Sequence, residues 1–436
     1  MFNPELFADR RARFIKLIRP NSVAIIPTAP SAIYSLDTEY RYRPDSDFYF
    51  LTGFREPEAV AIISTRPADK LFTLFVRPRD PERETWTGRR AGVEGATEKY
   101  LADEAFEIGA FDEKLTSYLE NIEAIYHFAG KNKKYDRKLL KAWQAVRLKW
   151  RTGIDPPYEL IDLGRIMHEM RLVKTPEDLE ILRQACRISV EAHQLAMRAI
   201  KPGMNERELE ALIDHYFRAS GGFGAAFPTI VASGINSCIL HYTENERDIG
   251  KTDLVLVDAG CEYEMFNGDI SRTYPASGRF TPEQRAIYDI VLKAQLEAIE
   301  LCTSDKTPDD VHDHAVRVLT QGLIDLKILE GPLDQAVEKE TYKKFYMHRT
   351  GHWLGVDVHD VGSFRKDGKT RRFEPGMVTT VEPGLYIPED ESVPEAFRGI
   401  GVRIEDNIHI TPKGPENLTF GCPKEPTELE GLISAR

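Results

Sequence analysis

The chain alternates stretches of helical periodicity with short apolar runs. In its first part, three runs rich in β-branched residues stand between turn and helix signals, a pattern typical of strands in an α/β domain. These predicted strands are SVAIIPT (22–28), AVAIIST (59–65) and LFTLFV (71–76).

Helix start signals then recur through the second part. Thr175 can cap a helix whose first turn holds Pro176 and Asp178, which predicts a capping box. Comparable signals begin at Asn205, Thr281 and Thr307. Because the first of these helices opens a new pattern, we place the domain boundary at residue 172, with domains over 1–172 and 173–436.

Runs bounded by Gly or Pro lie between these helices and predict strands. They are DLVLVDAG (253–260), GMVTTVEPG (376–384) and GVRIEDNIHI (401–410). The second domain is therefore predicted to be an antiparallel-rich sheet covered by helices, which places the whole chain in the α+β class.

Two of these strands end alike, because LVLVDAG and MVTTVEPG both run into a carboxylate and then a glycine. A second carboxylate follows each, Asp269 after Asp258 and Glu405 after Glu382. A duplicated half-domain would explain this similarity between the two segments, and chance similarity of two strand ends is the alternative.

The alternation along 401–410 predicts that Arg403 and Glu405 share one face of a strand. Asp258 and Glu382 each end an apolar row, where a carboxylate is costly to bury unless a cation meets it. A separate arginine or helix N-terminus for each would be enough to stabilise any one of these acids. Four acids converging in one pocket would instead raise one another's pKa values, and two divalent cations would relieve this.

The segment GHWLGVDVHDVG (351–362) carries two histidines among its glycines. Taken alone it is compatible with metal, acid–base and structural roles. If the four acids converge, His352 is the imidazole we assign to them. Such an oxygen-rich ligand set suits Mn²⁺, whereas structural zinc sites are typically rich in thiolates.

Charge and cysteine content narrow the class of protein. The 436 residues carry a net charge of −12, which disfavours nucleic acid and anionic membranes as partners. Five cysteines without any CxxC pair favour a reducing compartment. The charged first twenty residues lack a secretory apolar core, and no run approaches the ~20 apolar residues of a membrane span. We therefore expect a cytoplasmic protein.

These segments together resemble the aminopeptidase P (Xaa-Pro aminopeptidase) family of metallopeptidases. The resemblance covers RPDSDFYFLTGFREPEAVAI, CILHYTENE, LVLVDAGCEYEMFNGDISRTYP, GHWLGVDVHDVG, TVEPGLYIP and GIGVRIEDNI. It implies an aminopeptidase P/creatinase-like N-terminal α/β domain followed by a pita-bread catalytic domain with a pseudo-twofold internal repeat. It also implies a homo-oligomer, either a dimer or a tetramer.

The resemblance implies that the enzyme releases the N-terminal residue from peptides with proline in the second position. A hydroxide bridging two metal ions would attack the Xaa-Pro bond. Manganese is the favoured metal, with zinc or cobalt as alternatives. The implied ligands are Asp258, Asp269, His352, Glu382 and Glu405, of which Asp269 and Glu405 bridge the two ions.

Further roles follow from the same resemblance. Glu382 is expected to carry the proton to the leaving nitrogen, His359 to meet the oxyanion and Arg403 to brace Glu405. The implied catalytic residues are Glu382, His359, His241 and Arg403. The implied substrate-binding residues are His241, His348, His359 and Tyr386. For His348, a hydrogen-bonded core histidine is the alternative, and Arg349 beside it departs from the smaller residue expected there.

Two other functions stay open. An Xaa-Pro dipeptidase (prolidase) shares the fold and ligands but requires a free carboxylate directly after proline. A non-catalytic relative that binds peptides or proteins is less favoured, because it predicts missing ligands and all five are present.

Overall fold

The computed structural model describes residues 3–67 and 70–435. The chain divides into two compact units, Met1–Met170 and Arg171–Arg436. Within the described ranges, no helix is both long enough and apolar enough to cross a membrane.

The N-terminal unit is built on one mixed six-stranded sheet. Its helices are α1 (Pro4–Leu17), α2 (Ser46–Thr52), α3 (Pro81–Thr87), α4 (Gly92–Glu98), α5 (Phe111–Tyr118), α6 (Lys133–Arg147) and α7 (Gly164–Leu172). Its strands are β1 (Ser22–Pro27), β2 (Ile33–Ser35), β3 (Thr38–Glu39), β4 (Val60–Ser64), β5 (Phe72–Val76), β6 (Glu104–Glu107), β7 (Ala124–His127) and β8 (Glu159–Asp162). The sheet order is β6-β5-β4-β1-β7-β8, and β2 pairs with β3 as a separate hairpin. The three predicted strands correspond to β1, β4 and β5, which confirms the α/β character of this unit.

The second unit combines long helices with short antiparallel sheets. Its helices are α8 (Pro176–Ala199), α9 (Glu206–Ala219), α10 (Pro282–Glu300), α11 (Pro308–Asp325), α12 (Leu333–Glu338) and α13 (Pro426–Ser434). Its first strands are β9 (Gly224–Ala225), β10 (Ile230–Ser233), β11 (Leu254–Ala259), β12 (Cys261–Tyr263), β13 (Phe266–Asn267) and β14 (Ile270–Pro275). The others are β15 (Arg365–Lys366), β16 (Lys369–Thr370), β17 (Val378–Val381), β18 (Gly384–Tyr386), β19 (Gly401–Arg403), β20 (Asp406–Thr411) and β21 (Gly414–Asn417).

Both halves of this unit present their elements in the same order. A helix pair, α8 with α9, precedes the strand pair β11 and β14, and a second pair, α10 with α11, precedes β17 and β20. All four predicted capping boxes form, so each of these helices begins where its sequence signal stands.

Alternation along β11 separates the core from the pocket. Val255, Val257 and Ala259 belong to the main apolar core together with residues of α8, α9 and α10. Leu256 points to the opposite face, where it packs in a smaller cluster with Ile230 and Tyr242. Asp258 has the same parity as Leu256 and lines a pocket on that face.

The run predicted as one strand over 401–410 is two strands. β19 pairs with β18, and β20 pairs with β17. The break falls at 404–405, opposite Pro383, which has no N–H to donate to a continuous ladder. There the Glu405 N–H turns to the Ser271 carbonyl at 3.0 Å, which ties this half of the unit to β14.

Candidate metal centre

A cavity of about 920 Å³ in the second unit gathers most of the predicted site residues. Its lining includes the four carboxylates Asp258, Asp269, Glu382 and Glu405, the histidines His241, His348, His352 and His359, and Arg403. The acids that the strand pattern singled out therefore meet in one place.

Asp258 and Asp269 come from adjacent antiparallel strands. Asp258 lies on β11 opposite Ser271 of β14, and Asp269 immediately precedes β14. The amide side chain of Asn407 fixes the Asp269 backbone, because its Oδ1 accepts from the Asp269 N–H at 3.0 Å and its Nδ2 donates to the Asp269 carbonyl.

Glu382 and Glu405 hold the equivalent places in the second half. Glu382 follows β17 and Glu405 precedes β20. The Glu382 N–H donates to the Thr350 carbonyl at 2.8 Å, which keeps the segment around His352 beside β17. Ser271 Oγ donates to Glu405 Oε2 at 2.8 Å.

The His352 ring is oriented by its neighbours. Its Nδ1 lies 3.0 Å from the Trp353 carbonyl, which can only accept, so Nδ1 carries the hydrogen. Nε2 then faces Asp269 Oδ2 at 3.4 Å and Glu382 Oε1 at 3.6 Å. The His359 ring stands edge-on to the His352 ring, with centroids 4.4 Å apart.

The arrangement of the carboxylate oxygens is suited to binding a cation. One ligand atom each from Asp269, His352 and Glu405 lies within 4.8 Å of the other two. Asp258 Oδ1 and Glu405 Oε1 are buried without a hydrogen-bond partner in the part of the chain that the structure describes. Such orphaned buried oxygens require a compensating group, and a set of carboxylates with one imidazole suits divalent manganese, zinc or cobalt.

Without metal, this cluster has displaced pKa values. Burial raises the pKa of Asp269 to about 6 and the pKa of Glu382 to about 7. Burial, with the charges of the other acids, also raises the pKa of Glu405. Burial acts to lower the pKa of His352, but the carboxylates of Asp269 and Glu382 outweigh it and raise the pKa to about 9.

Arg403 makes its direct ion pair with Asp258. Its NH2 donates to Asp258 Oδ2 at 2.6 Å, and its Nε donates to Ser271 Oγ at 2.8 Å. It reaches Glu405 only through Ser271, because the break at 404–405 removes the simple alternation that would put Arg403 and Glu405 side by side. Asp258 is thus the acid of the four that has a guanidinium partner.

His348 and Tyr386 form a hydrogen-bonded pair beside Arg403. His348 Nδ1 donates to the Arg349 carbonyl at 2.8 Å, so Nε2 accepts from the Tyr386 hydroxyl at 2.9 Å. Burial lowers the pKa of His348 to about 4, which keeps the ring neutral at pH 7. Tyr386 is only 2% exposed and also accepts from Arg403 NH1, so it supports the pocket residues from behind.

Arg349, the residue that departs from the resemblance, lines the same pocket. Its guanidinium pairs with Asp309, which also accepts from Thr370 Oγ1 at 2.6 Å. Its charge is therefore balanced by a neighbouring carboxylate at the pocket wall.

Sequence reasoning missed three polar residues of this site. Ser271, Thr380 and Asn407 hydrogen-bond to Glu405, His352 and Asp269 respectively. Each lies two positions from a predicted acid, Asp269, Glu382 or Glu405, on the same face of its strand. That parity was the signal available in the sequence.

A buried ion cluster anchors the segment that carries His359. Asp360 Oδ1 accepts from Arg171 NH2 at 2.6 Å, and its Oδ2 accepts from Lys174 Nζ at 3.1 Å. All three side chains are at least 99% buried. The residue next to His359 is thereby fixed to the start of the second unit.

Replacing Asp360 with alanine is expected to destabilise the protein by about 3 kcal/mol, because it leaves Lys174 as a buried cation without its carboxylate. Urea unfolding monitored by circular dichroism measures the change. Asp214→Ala, which removes an exposed partner of Arg218, is the control and should cost about 0.5 kcal/mol or less. A loss for Asp360→Ala as small as the control's would contradict the anchoring role.

The whole chain is similar to known families and structures. Residues 7–126 match the N-terminal domain of aminopeptidase P, and residues 180–412 match metallopeptidase family M24. The Xaa-Pro aminopeptidase of Escherichia coli K12 is 44% identical over 430 residues, covering 98% of this chain and 97% of that protein. The structure of Pseudomonas aeruginosa aminopeptidase PepP superposes with a TM-score of 0.98 at 46% identity, covering 100% of this chain and 98% of the other. Zinc-substituted E. coli aminopeptidase P in complex with product matches with a TM-score of 0.96 at 43% identity, covering 100% and 99%. The α+β fold is confirmed as an aminopeptidase P N-terminal domain followed by a pita-bread domain, and the chain belongs to metallopeptidase family M24.

Proposed function

We propose that this protein is an Xaa-Pro aminopeptidase, which releases the first residue of peptides whose second residue is proline. Membership of family M24 and the full-length similarity to the E. coli enzyme of that name support the activity. The observation that carries it is the convergence of four carboxylates and His352 on one pocket, with orphaned oxygens on Asp258 and Glu405.

We propose that Asp258, Asp269, His352, Glu382 and Glu405 hold two divalent ions, with manganese as the native metal and zinc or cobalt as substitutes. Among the described residues, Arg403 and the His352 imidazole are the cationic partners of the four acids, so the centre has carboxylate charge left over for cations. When bound, the ions would supply Lewis-acid activation of water and of the scissile carbonyl. The zinc-substituted structure of E. coli aminopeptidase P supports zinc as one of the substitutes.

Glu382 is the proposed proton carrier. It lies at the end of β17, 3.6 Å from His352 Nε2, and burial raises its pKa to about 7 in the absence of metal. A carboxylate at this place can accept a proton from the attacking water and deliver it to the proline nitrogen, which must be protonated to leave. As a proposed ligand, Glu382 would be held beside the bound ions when it carries the proton.

The histidines of the pocket are the proposed donors to the substrate. His359 stands against His352, where an N–H could stabilise the oxyanion that develops on the scissile carbonyl. Burial, together with the neighbouring His352 and His241, lowers the pKa of His359, so a neutral ring remains available as a donor. His241, exposed on the loop after β10, either shares this role or binds the substrate backbone.

We propose that His348 and Arg403, backed by Tyr386, form the wall that receives the proline side of the substrate. The hydrogen bonds through Tyr386 hold the two side chains in fixed orientations. An Xaa-Pro bond has no N–H, and the proline ring fixes φ. Binding by strand pairing would require that N–H as a donor, so a rigid wall that contacts the ring is better suited to this substrate.

The remaining proposals concern the cell and the assembly. We propose a cytoplasmic homo-oligomer, a dimer or a tetramer, that has peptides as its partners and binds neither nucleic acid nor membranes. The net charge of −12 argues against nucleic-acid and membrane partners, the five free thiols support a reducing compartment, and the oligomer follows from the family resemblance. We keep residue 172 as the proposed boundary between its domains.

The test is a peptide panel assayed with manganese-reconstituted protein. Free Xaa should be released from Xaa-Pro-Xaa tripeptides, and much more slowly from Xaa-Ala-Xaa controls and Xaa-Pro dipeptides. Preference for the dipeptides would identify a dipeptidase instead. No cleavage, together with no bound metal, would identify a binding protein.

A further inference from the structure

A buried carboxylate lies behind the loop that carries His241. Glu206, the first residue of α9, is 0% exposed, although an acid at this place in a helix normally faces solvent. Its side chain is turned inward, towards the segment between β10 and β11.

Five donors converge on this one carboxylate. Oε1 accepts from the Ser233 N–H at 2.7 Å, Ser233 Oγ at 2.6 Å and Asn236 Nδ2 at 3.3 Å. Oε2 accepts from the Tyr242 hydroxyl at 2.8 Å and the Arg247 N–H at 2.9 Å. These donors satisfy both oxygens of a carboxylate that would otherwise be costly to bury.

These donors span the whole His241 loop. Ser233 ends β10, Asn236 lies in the turn that follows, and Arg247 lies on the return towards β11. Tyr242 is the residue next to His241, and its hydroxyl also accepts from the Glu246 N–H at 3.3 Å. Its ring is 8% exposed and packs with Ile230, Leu256 and Tyr386 under the pocket.

The two neighbouring side chains therefore have opposite surroundings. His241 is exposed and lines the pocket, whereas Tyr242 is buried and bonded at its far end to Glu206. Because His241 and Tyr242 share a peptide bond, fixing the Tyr242 side chain inward restricts the backbone of His241, whose side chain lines the pocket.

We propose that Glu206, acting through Tyr242, is a positioning residue that holds His241 in its working orientation. This inference rests on the proposed peptidase function and adds two residues to the machinery of that reaction. Neither of them touches the pocket. Their contribution is to reduce the number of conformations that His241 samples before the substrate binds.

Tyr242→Phe tests this, because it removes one hydroxyl and leaves the packed ring in place. We expect kcat for an Xaa-Pro peptide to fall about fivefold, because the change removes the hydroxyl that donates to Glu206 and accepts from the Glu246 N–H. Metal content and Tm should stay near those of the wild type. Tyr216→Phe is the matched control: it removes the hydrogen bond that a tyrosine of α9, the helix that begins with Glu206, donates to Glu191 at 2.9 Å, and it should leave kcat unchanged.

A double-mutant cycle with His241→Ala separates positioning from general loosening. If Tyr242 acts through His241, Tyr242→Phe should cost about fivefold in the wild type and nothing further in His241→Ala. Equal losses in both backgrounds, no loss in the wild type, or a fully active His241→Ala would overturn the inference.

The hydrogen bonds that join Glu206 to Tyr242 and the rest of the His241 loop form a tether. Hydrogen exchange of residues 234–246, measured by mass spectrometry, tests this tether without relying on activity. Tyr242→Phe should speed exchange there, and Tyr216→Phe should not. Unchanged exchange in Tyr242→Phe would refute the tether even in an active enzyme. Faster exchange in a protein that cleaves no Xaa-Pro peptide would retain the tether, refute its catalytic role and show that the proposed function had failed.

Discussion

Replacing Glu382 with glutamine is expected to lower kcat for an Xaa-Pro-Xaa tripeptide about 10³-fold, a barrier increase of about 4 kcal/mol. Glutamine keeps the shape of the side chain and an oxygen for the centre, but it cannot take a proton from water and return it to the leaving nitrogen. The Glu382 N–H bond to Thr350 is a backbone bond and survives the change, so the fold should persist. Steady-state kinetics at saturating manganese measure the effect.

Two readouts decide what a loss of activity in Glu382→Gln means. Metal content measured by elemental analysis separates weakened ligation from lost proton transfer. Glu374→Gln, which alters a partly exposed partner of Arg371, is the control and should retain full activity. If excess manganese restored Glu382→Gln to wild-type kcat, the residue would be a ligand only and its proton-carrying role would be refuted.

The sequence predicts the acids of the centre because strand alternation is a strong local signal. Asp258 and Glu382 end apolar rows, and the same parity rule points to Ser271, Thr380 and Asn407. Capping boxes are equally local, so the starts of α8, α9, α10 and α11 follow from residues three apart. Such features need no knowledge of distant parts of the chain.

The break between β19 and β20 could not be predicted in the same way. It depends on Pro383, which lies about twenty residues away and faces the break only after the strands have paired. With the strand broken there, the Arg403 guanidinium pairs directly with Asp258 and is linked to Glu405 through Ser271. Local alternation therefore points to the charged residues, whereas their direct contacts depend on how the strands pair.

The contacts of two buried carboxylates, Glu206 and Asp360, were also beyond local sequence reasoning. Glu206 reads in sequence as an ordinary acid in the first turn of a helix, and Asp360 as one more polar residue in a glycine-rich loop. Their partners are 27 to 41 residues away for Glu206 and 186 to 189 residues away for Asp360. Only the folded chain shows that each acid supports the segment next to a pocket histidine.

Removing the metal should make the stability of this protein depend on pH in a predictable direction. Burial raises the pKa of Asp269 to about 6 and that of Glu382 to about 7, so their contributions are full at low pH and are lost as pH rises through those values. The charge on His352, whose pKa the neighbouring carboxylates raise to about 9, is lost as pH rises further. All three groups make the metal-free protein less stable at pH 8 than at pH 5.

Bound cations should offset the loss of stability of the metal-free protein at pH 8, because they favour ionised carboxylates. At pH 5 they compete poorly with protons for the same oxygens. The Tm difference between manganese-loaded and EDTA-treated protein is therefore expected to be small at pH 5 and about 5 to 10 °C at pH 8. Differential scanning calorimetry at pH 5, 6.5 and 8 measures it, and taking the difference cancels titrations elsewhere in the chain. His352→Ala, which lacks the imidazole ligand, should show a smaller gap at pH 8. A gap that stayed constant with pH would mean that the four carboxylates are not the groups that bind the metal.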